Sequence, residues 1–281
     1  MVDLSTPIEQ APLSVVDVET TGLDPTRGDR VIEVALLGIQ QGEVRVEWQR
    51  LVNPQRAVSW GAYRVNHISD EMLADAPMFA EIADELLSHL HGTVFVGHNA
   101  LFDLAFIKAE LQLAQRPFPS LVAVDTLRLA RRNVSSGDYS LRALCTRYGI
   151  NMDNAHRAAD DAWATYRLLQ ELVSRLARRG VRTVADLIQA QGGILRERGE
   201  GALRVPAPLR EAMRRNKLLR LSYRDGYGGI SERVVRPIQL ADRFGTLYLV
   251  AYCYLRHGRR TFSVERIQSM TVLDEPAPLE E

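Results

Sequence analysis

Four acidic residues occupy positions where the hydrophobic pattern of this 281-residue chain predicts burial. Asp17 and Glu19 are two residues apart in the β-branched stretch LSVVDVE, so a strand there directs both side chains to one face. Asp103 and Asp161 each begin an apolar stripe with helical spacing. Buried carboxylates without partners are costly and tend to be paired or to bind metal, so acids from three separate elements predict one shared cation site.

Each of these acids, taken singly, is better explained as a partly exposed or salt-bridged carboxylate. Four acids together favour hard cations that prefer oxygen ligands, such as Mg²⁺ or Mn²⁺. A cysteine-based metal site is excluded, because Cys145 and Cys253 are the only cysteines and lie far apart in the sequence. With no disulfide framework, no signal-peptide pattern and no apolar run of about 18 residues, we expect a cytoplasmic protein that does not cross a membrane.

Secondary-structure signals change character after Gly180. Before it, a hairpin-like pair of strands is followed by alternating strands and helices, which predicts an α/β fold with a mixed sheet flanked by helices. After it come one short helix, a Gly- and Pro-rich stretch, a basic helix at 209–221 and several short strands separated by turns. We predict a first domain at 1–180, a linker with a short helix at 181–207 and a small β domain at 208–275.

The net charge of zero conceals a strong asymmetry. Residues 1–180 hold 18 Lys and Arg against 23 Asp and Glu, a net charge of −5. Residues 204–271 hold 14 against 5, a net charge of +9. A basic module behind an acidic one indicates a polyanionic partner for the second part, with a solvated basic surface as the alternative.

Three local sequences resemble the exonuclease motifs of the DnaQ-like, or DEDDh, 3′–5′ exonucleases. They occur in order as DVETTGLDP with IEVA, then GHNALFD, then HRAADDA, at 17–25 with 32–35, 97–103 and 156–162. The resemblance covers roughly residues 12–175 and implies a ribonuclease H-like fold. It also implies a catalytic set with two bound Mg²⁺ or Mn²⁺ ions, formed by the ligands Asp17, Glu19, Asp103 and Asp161 and the general base His156.

The chemistry that this resemblance implies is phosphodiester hydrolysis. Two divalent ions about 3.5–4 Å apart can hold both the attacking and the leaving oxygen of an in-line displacement. A histidine suits proton abstraction because its ordinary pKa is close to neutrality. We expect nucleoside monophosphates to be released from 3′ ends, and the wording of the first motif is nearer to proofreading exonucleases than to oligoribonucleases, which favours DNA.

The resemblance further implies contacts with the terminal nucleotide. The backbone of Thr20 would meet the 3′-hydroxyl, Leu23 would pack against the terminal base, and Phe102 would stack on a base. Asn99 would fix the turn that leads into the helix of Asp103. The alternatives are that Thr20 only shapes a turn and that Phe102 packs in the core against Phe106.

The basic C-terminal segment resembles the WYL domain, an SH3/Sm-like small β-barrel of bacterial regulators. The resemblance lies in YRDGYGGISERVVRPIQL and TLYLVAYCYLRHGRRTFSVERI, with Leu247-Tyr248-Leu249 where the family has Trp-Tyr-Leu. In the family this barrel senses ligands or binds nucleic acid. The implied binding surface consists of Arg236, Tyr248, Tyr252, Arg260 and Arg266. The alternatives are barrel core for the tyrosines and a solvated face for the arginines.

Three functions compete with a single-stranded DNA exonuclease. They are a regulatory nucleic-acid sensor, an RNA-trimming exoribonuclease and a proofreading subunit docked on a polymerase. A complete set of four acids and a histidine favours an enzyme, because a protein that only binds ends has no need of every one. We therefore expect single-stranded 3′ ends as the partner, no membrane, and a homodimer as an open question.

Overall fold

The computed structural model describes residues 2–152, 157–195, 205–224, 229–243 and 246–276. The chain divides into two compact units, residues 1–196 and residues 197–281. Within the described residues, no helix combines the length and the apolar character needed to span a bilayer.

The first unit is built on a five-stranded mixed sheet in the order β3-β2-β1-β4-β5. Its central strand β1 is antiparallel to β2 and parallel to β4, and β4 is parallel to β5. The mixed α/β sheet that the sequence predicts is therefore confirmed. The strands are β1 (Leu13–Thr20), β2 (Val31–Gln40), β3 (Glu43–Leu51), β4 (Val94–Gly97) and β5 (Val122–Asp125).

Eight α-helices accompany this sheet in the described part of the first unit. They are α1 (Trp60–Asn66), α2 (Asp70–Leu73), α3 (Phe79–Leu90), α4 (Leu101–Leu113), α5 (Thr126–Asn133), α6 (Leu141–Tyr148), α7 (Ala158–Ala177) and α8 (Val184–Ala190). The sequence pattern predicts helices at 80–90, 100–114, 139–149 and 158–179 and a short helix at 184–190, and it misses α1, α2 and α5. Of the missed helices, α1 buries a single residue and so lacks an apolar stripe.

Helix α7 packs along β1 and β2 and closes the main core of the unit. Its first turn carries Ala158 and Ala162, both fully buried. Small side chains at these positions let the helix approach the sheet closely, which brings Asp161 to the face of β1.

Helix α8 belongs to the first unit, although the sequence places it in the linker at 181–207. Val184, Leu187 and Ile188 are part of the main core. The Gln191 side chain accepts a hydrogen bond from the Asp125 amide at 2.8 Å and donates one to the Ala123 carbonyl at 3.0 Å. The predicted boundary at residue 180 is therefore too early, and residues 196–204 of the predicted linker lie outside the described residues.

In the residues of the second unit that the structure describes, one helix packs against a five-stranded antiparallel sheet in the order β10-β6-β7-β8-β9. Its elements are α9 (Ala207–Arg214), β6 (Lys217–Arg224), β7 (Ile230–Arg243), β8 (Thr246–Cys253), β9 (Gly258–Ser263) and β10 (Ile267–Pro276).

For the second unit, the predicted end of the helix is wrong, and the predicted closed barrel stays a prediction. The helix predicted at 209–221 ends at Arg214, because Asn216 takes a left-handed backbone conformation with φ of 49° and the chain turns into β6. Among the described residues, no ladder joins β9 to β10, so the predicted SH3/Sm-like barrel is not confirmed as a closed barrel.

Candidate active site

Three of the predicted metal ligands come together on one face of the sheet. Asp17 and Glu19 project from β1, and Asp161 meets them from the first turn of α7. Each offers a carboxylate oxygen, and the three atoms all lie within 4.8 Å of one another. Asp17 and Asp161 are 144 residues apart in the sequence, and the packing of α7 on the central strands brings them together in space.

Asp103 lies beside this group but outside the 4.8 Å cluster. Its Oδ1 accepts a hydrogen bond of 3.1 Å from the backbone amide of Val18, the residue between Asp17 and Glu19. Gly97, at the end of β4, makes room for it, because a Cβ on Gly97 would lie 3.3 Å from Asp103 Oδ2. Asp103 is therefore tied directly to the strand that carries the first two acids.

The carboxyl groups of this cluster perturb one another strongly. Burial raises the pKa of Asp17 well above its ordinary value, and Asp103 and Asp161 raise it further. Burial raises the pKa of Glu19 to about 8, with additional contributions from Asp161 and Glu33. The charges that act on Asp17 all come from carboxylates. A group of oxygen ligands with this excess of negative charge fits hard divalent cations.

Glu33, in the IEVA stretch, is a further carboxylate of this region, and the sequence patterns assign it no role. It stands opposite Glu19 in the β1–β2 register and is fully buried. Its Oε1 accepts hydrogen bonds from Gln49 Nε2 at 2.7 Å and Arg157 Nη2 at 2.6 Å. Its Oε2 accepts from the Ala158 amide at 3.0 Å and Arg157 Nε at 3.2 Å. Glu33 therefore anchors the start of α7 to β2.

The turn after β1 has a fixed shape. A Cβ on Gly22 would lie 2.3 Å from Asp29 Oδ2, so only glycine is accommodated with this arrangement. Thr20 is buried, and its hydroxyl donates to the Gly22 carbonyl at 2.5 Å. Leu23, which follows Gly22, is 50% exposed. The substrate roles of Thr20 and Leu23 stay predictions.

The turn that leads into α4 holds the other predicted substrate residues. Asn99 takes a left-handed conformation with φ of 71°, and its backbone amide donates to Asp125 Oδ1 at 3.0 Å. Phe102 is half-buried and packs against the fully buried Phe106, with ring centroids 4.9 Å apart. Stacking of Phe102 on a base stays a prediction, and the predicted general base His156 lies outside the described residues.

His98, one residue before Asn99, is a structural histidine. Burial lowers its pKa to about 4, so the ring is neutral near neutral pH. Its Nε2 donates to the Tyr139 carbonyl at 3.0 Å, and its Nδ1 accepts from the Thr126 hydroxyl at 2.9 Å. These contacts connect the turn at the active site to the segment before α6.

The second unit presents a row of basic and aromatic residues across three strands. Arg236 pairs with Tyr252, and Tyr252 pairs with Arg259. Directly opposed residues of antiparallel strands share one face of the sheet, so these three side chains form one surface. Arg260 pairs with the fully buried Ala251 and therefore belongs to the opposite face.

The remaining predicted residues of this surface lie nearby in the sheet. Tyr248 is four residues before Tyr252 on β8, on the same face, and is half-buried. Arg266 is exposed in the short turn that precedes β10. Their binding roles stay predictions, and the strand register adds Arg259, opposite Tyr252, as a further candidate.

Comparison with known families identifies both units. Residues 14–169, more than half of the chain, match the exonuclease family model RNase_T. Residues 204–272 match the model of the WYL domain. The chain therefore belongs to this exonuclease family and carries a C-terminal WYL domain, which confirms the assignment made from the sequence motifs.

The relatives include DNA polymerase III proteins and a protein named as a 3′-5′ exonuclease. The DNA polymerase III subunit epsilon of Treponema pallidum (strain Nichols) is 33% identical over 60% of this chain and 80% of that protein. The 3′-5′ exonuclease DinG of Bacillus subtilis (strain 168) is 32% identical over 58% of this chain. This chain spans only 18% of the length of DinG and 12% of a staphylococcal DNA polymerase III PolC-type protein.

A solved structure agrees with this assignment. Exonuclease X in complex with 5′ overhanging duplex DNA is 26% identical, with a TM-score of 0.50, over 64% of this chain and 99% of that one. The chain therefore has the fold of this exonuclease family, and its cluster of Asp17, Glu19 and Asp161 has the arrangement of a group that can hold a metal ion.

Proposed function

We propose that this chain is a metal-dependent 3′–5′ exonuclease that releases nucleoside monophosphates from single-stranded DNA. The observation that carries the proposal is the cluster of Asp17, Glu19 and Asp161, whose carboxylate oxygens lie within 4.8 Å of one another. A relative named as a 3′-5′ exonuclease supports the polarity, and a structural neighbour bound to duplex DNA with a 5′ overhang supports DNA as the nucleic acid.

The cations that this site would hold are two Mg²⁺ or Mn²⁺ ions. Asp17, Glu19 and Asp161 would bind them, with Asp103 as the fourth ligand beside the cluster. Bound divalent cations supply the positive charge that ionises a water molecule and stabilises the leaving 3′-oxygen.

The protein itself positions the substrate and moves the proton. His156 accepts the proton of the attacking water, and the clamp of Glu33 on Arg157 and Ala158 fixes the chain immediately after it. Leu23 packs against the terminal base, Phe102 stacks on a base, and the backbone of Thr20 meets the 3′-hydroxyl.

The WYL domain supplies a second binding surface for nucleic acid or a nucleotide ligand. Its basic and aromatic row combines guanidinium groups, which bind phosphate, with a tyrosine that can stack on a base. We assign this surface to Arg236, Tyr252 and Arg259, together with Tyr248 and Arg266. Arg260, which the family resemblance also implies, belongs to the opposite face of the sheet and is left out of this surface. We retain the closed SH3/Sm-like barrel as part of the proposal. Cys145 and Cys253 are free and buried, which agrees with the reducing cytoplasm in which we place the enzyme.

A degradation assay tests this function. Single-stranded DNA and RNA of one sequence, labelled at the 5′ end, are incubated with the full chain and Mg²⁺ or Mn²⁺, beside matched duplexes and short oligomers. We expect a ladder that shortens from the 3′ end of single-stranded DNA and disappears with a chelator. A stronger RNA ladder would favour the exoribonuclease, and binding without any ladder would favour the regulatory sensor.

Two neighbouring aspartates provide a matched pair of variants for this assay. Asp161→Ala removes a member of the cluster and abolishes the ladder, whereas Asp160→Ala leaves the cluster intact and retains it. A ladder that survives in Asp161→Ala at the wild-type rate would refute the proposed site.

A further inference from the structure

Helix α1 is almost entirely exposed, although it carries large apolar side chains. Asn66 is the one buried residue among its seven. Trp60 is 71% exposed, Tyr63 37% and Val65 47%. Exposed aromatic residues grouped on one short element are a recognised sign of a binding surface.

The two aromatic rings of α1 form a preformed stack. The rings of Trp60 and Tyr63 lie 5.8 Å apart, centroid to centroid, and are inclined by only 30°. Tyr63 in turn meets His67 edge-on at 6.3 Å. A helix this short is not stable in water by itself, so its position depends on the Ser59 cap and on Asn66.

Asn66 connects this helix directly to the candidate active site. Its side-chain amide donates to the Thr20 carbonyl at 3.4 Å. The same side chain hydrogen-bonds Glu19 and partly offsets the rise in the pKa of that carboxyl group that burial causes. Trp60 lies six residues before Asn66, which corresponds to about 9 Å along a helix axis. The aromatic stack therefore stands a short distance from the cluster, on the side where Thr20 and Leu23 leave β1.

Helix α1 carries one charged residue, the basic Arg64. The acidic residues Asp70 and Glu71 begin the next helix, and Asp70 Oδ1 accepts a hydrogen bond of 2.8 Å from the Val58 amide, before α1 begins. Arg56 is already paired with Asp29 at 3.4 Å. Arg64 is exposed, and its side chain makes no ion pair within the described ranges of the chain.

We propose that Trp60 and Tyr63 form a stacking platform for a nucleobase of the substrate strand, with Arg64 beside it for a backbone phosphate. The proposal rests on the proposed exonuclease function and adds a base-binding subsite separate from the acidic cluster. A stack on an aromatic face accepts every base, so the platform holds the strand without selecting its sequence. It acts on the strand upstream of the cleaved bond, because the terminal nucleotide lies at the acids.

The experiment measures where along the strand Trp60 acts. The full chain is titrated, by fluorescence anisotropy, with single-stranded DNA oligomers that carry one abasic position at successive distances from the 3′ end. Ca²⁺ replaces Mg²⁺, and a gel verifies that the strand stays intact. In the wild type, we expect the abasic site to weaken binding about 5- to 100-fold at one or two adjacent positions.

The variants assign that position to the platform. Trp60→Ala should weaken binding of the intact strand by a similar factor and remove the penalty of the abasic site at those positions alone. Trp60→Phe should restore most of the affinity, because a smaller aromatic ring still stacks. Leu113→Ala is the matched control, since Leu113 is 64% exposed at the far end of α4 and should change neither value.

The outcomes separate this proposal from the function on which it rests. Equal abasic penalties in the wild type and in Trp60→Ala, together with normal hydrolysis of the intact strand, would overturn the platform and leave the exonuclease standing. Absence of both binding and hydrolysis in the wild type would overturn both. Self-association that Trp60→Ala abolishes, without an effect on strand binding, would assign α1 to an interface between copies of this chain instead.

Discussion

Buried carboxylates in the first unit serve two opposite purposes, which their partners distinguish. Glu33 and Glu110 each accept hydrogen bonds from an arginine and a backbone amide, so their charge is compensated and they join elements of the fold. Asp17 and Glu19 instead face other carboxylates. Repulsion among these negative charges destabilises the metal-free protein, and bound cations would relieve that repulsion.

The carboxylates of the acidic cluster can be identified from the sequence, whereas Glu33 and Glu110, which pair with arginines, cannot. Asp17, Asp103 and Asp161 interrupt strand and helix patterns that are otherwise apolar, so their burial can be predicted locally. The partner of Glu33 lies 124 residues away at Arg157, and no local pattern predicts that contact. Glu33 can be found in the sequence only as part of a recognised motif.

Replacement of Asp17 by Asn should separate stability from activity. Asp17→Asn removes one charge from a buried group of like charges, so the melting temperature in a chelator at pH 8 should rise by about 2–4 °C for each kcal/mol of repulsion relieved. Hydrolysis should be lost, because the amide is a poor ligand for Mg²⁺. Thermal melts with and without Mg²⁺, beside the degradation assay, measure both effects, and a lower melting temperature of the variant in chelator would contradict the prediction.

His98 should make the fold sensitive to acid. Its folded pKa of about 4 lies below the ordinary 6.5, so below pH 6.5 the unfolded chain binds a proton that the folded protein does not. Its contribution to stability is therefore complete above pH 6.5 and is lost as the pH falls towards 4, by on the order of 3 kcal/mol in total.

The variant His98→Gln tests this dependence. A glutamine can still donate to the Tyr139 carbonyl but does not titrate. The difference in unfolding free energy between wild type and variant, from urea titrations at pH 7.5 and pH 5, should shrink as the pH is lowered. A difference that stays constant between these two pH values would show that His98 is not the titrating group.

Among the elements, helix α7 depends most on contacts that are distant in sequence. Its apolar stripe predicts the helix itself, and the structure begins it at Ala158, where the sequence pattern places it. Its position on the sheet is set by other features, which are small buried residues in its first turn and the clamp of Glu33 on Arg157 and Ala158. The clamp and Asp161 lie within one helical turn of each other, so the clamp also positions the active site.

Glu33→Gln should therefore reduce the catalytic rate more than the affinity for substrate. We expect kcat to fall about 10- to 100-fold with little change in KM, because the variant misplaces groups at the start of α7 without removing one that touches substrate. Steady-state kinetics on a short single strand provide both constants. Arg157→Lys, which keeps the charge but loses the two-pronged hydrogen bond, should fall between wild type and Glu33→Gln.

Glu110→Gln is the matched control for this prediction. Glu110 is also buried, and it accepts from Arg30 Nε at 2.8 Å and from the Val31 amide at 3.0 Å. Its loss should lower the melting temperature to a similar extent while kcat stays near the wild-type value. An equal loss of kcat in both variants would assign Glu33 a general structural role instead.

Other elements show where sequence patterns stop being informative. Helix α4 carries an apolar stripe and is predicted to within one residue at each end, whereas α1 buries one side chain and has no stripe to detect. Helix α8 is predicted as a helix but assigned to the linker, because its bonds to β5 run through Gln191, whose buried partners are backbone groups. Isolated polar contacts of this kind leave no periodic signal.

The whole molecule joins two units of opposite charge. The order of the motifs and the change in composition predict both families, and the boundary between them moves from residue 180 to 196 only when the packing of α8 is known. The charge division follows from the sequence alone, with −5 in residues 1–180 and +9 in residues 204–271. An acidic nuclease unit has little long-range attraction for a polyanion, so the WYL domain is the candidate source of that attraction.

A truncated protein of residues 1–195, which keeps α8, should still degrade short single strands at the rate of the full chain. On long strands at low salt it should bind more weakly and release the strand more often. The difference in binding between the truncated and the full protein should shrink as salt rises, because the attraction that the WYL domain adds comes from the release of counterions. The measurement is degradation of short and long labelled strands at two salt concentrations by both proteins, and equal behaviour on long strands at low salt would favour a small-ligand sensor.

Two adjacent arginines determine which face of the WYL sheet acts as this tether. Arg259 shares the face of Tyr252 and Arg236, whereas Arg260 belongs to the opposite face. Arg259→Ala in the full chain should reproduce part of the truncation deficit and lower the slope of log affinity against log salt by about 0.7, the value for one lost contact to a single strand. Arg260→Ala should leave the slope unchanged. The reverse result would place the binding surface on the opposite face, which carries Arg260 and Ala251. Arg260 would then have the binding role that the family resemblance implies.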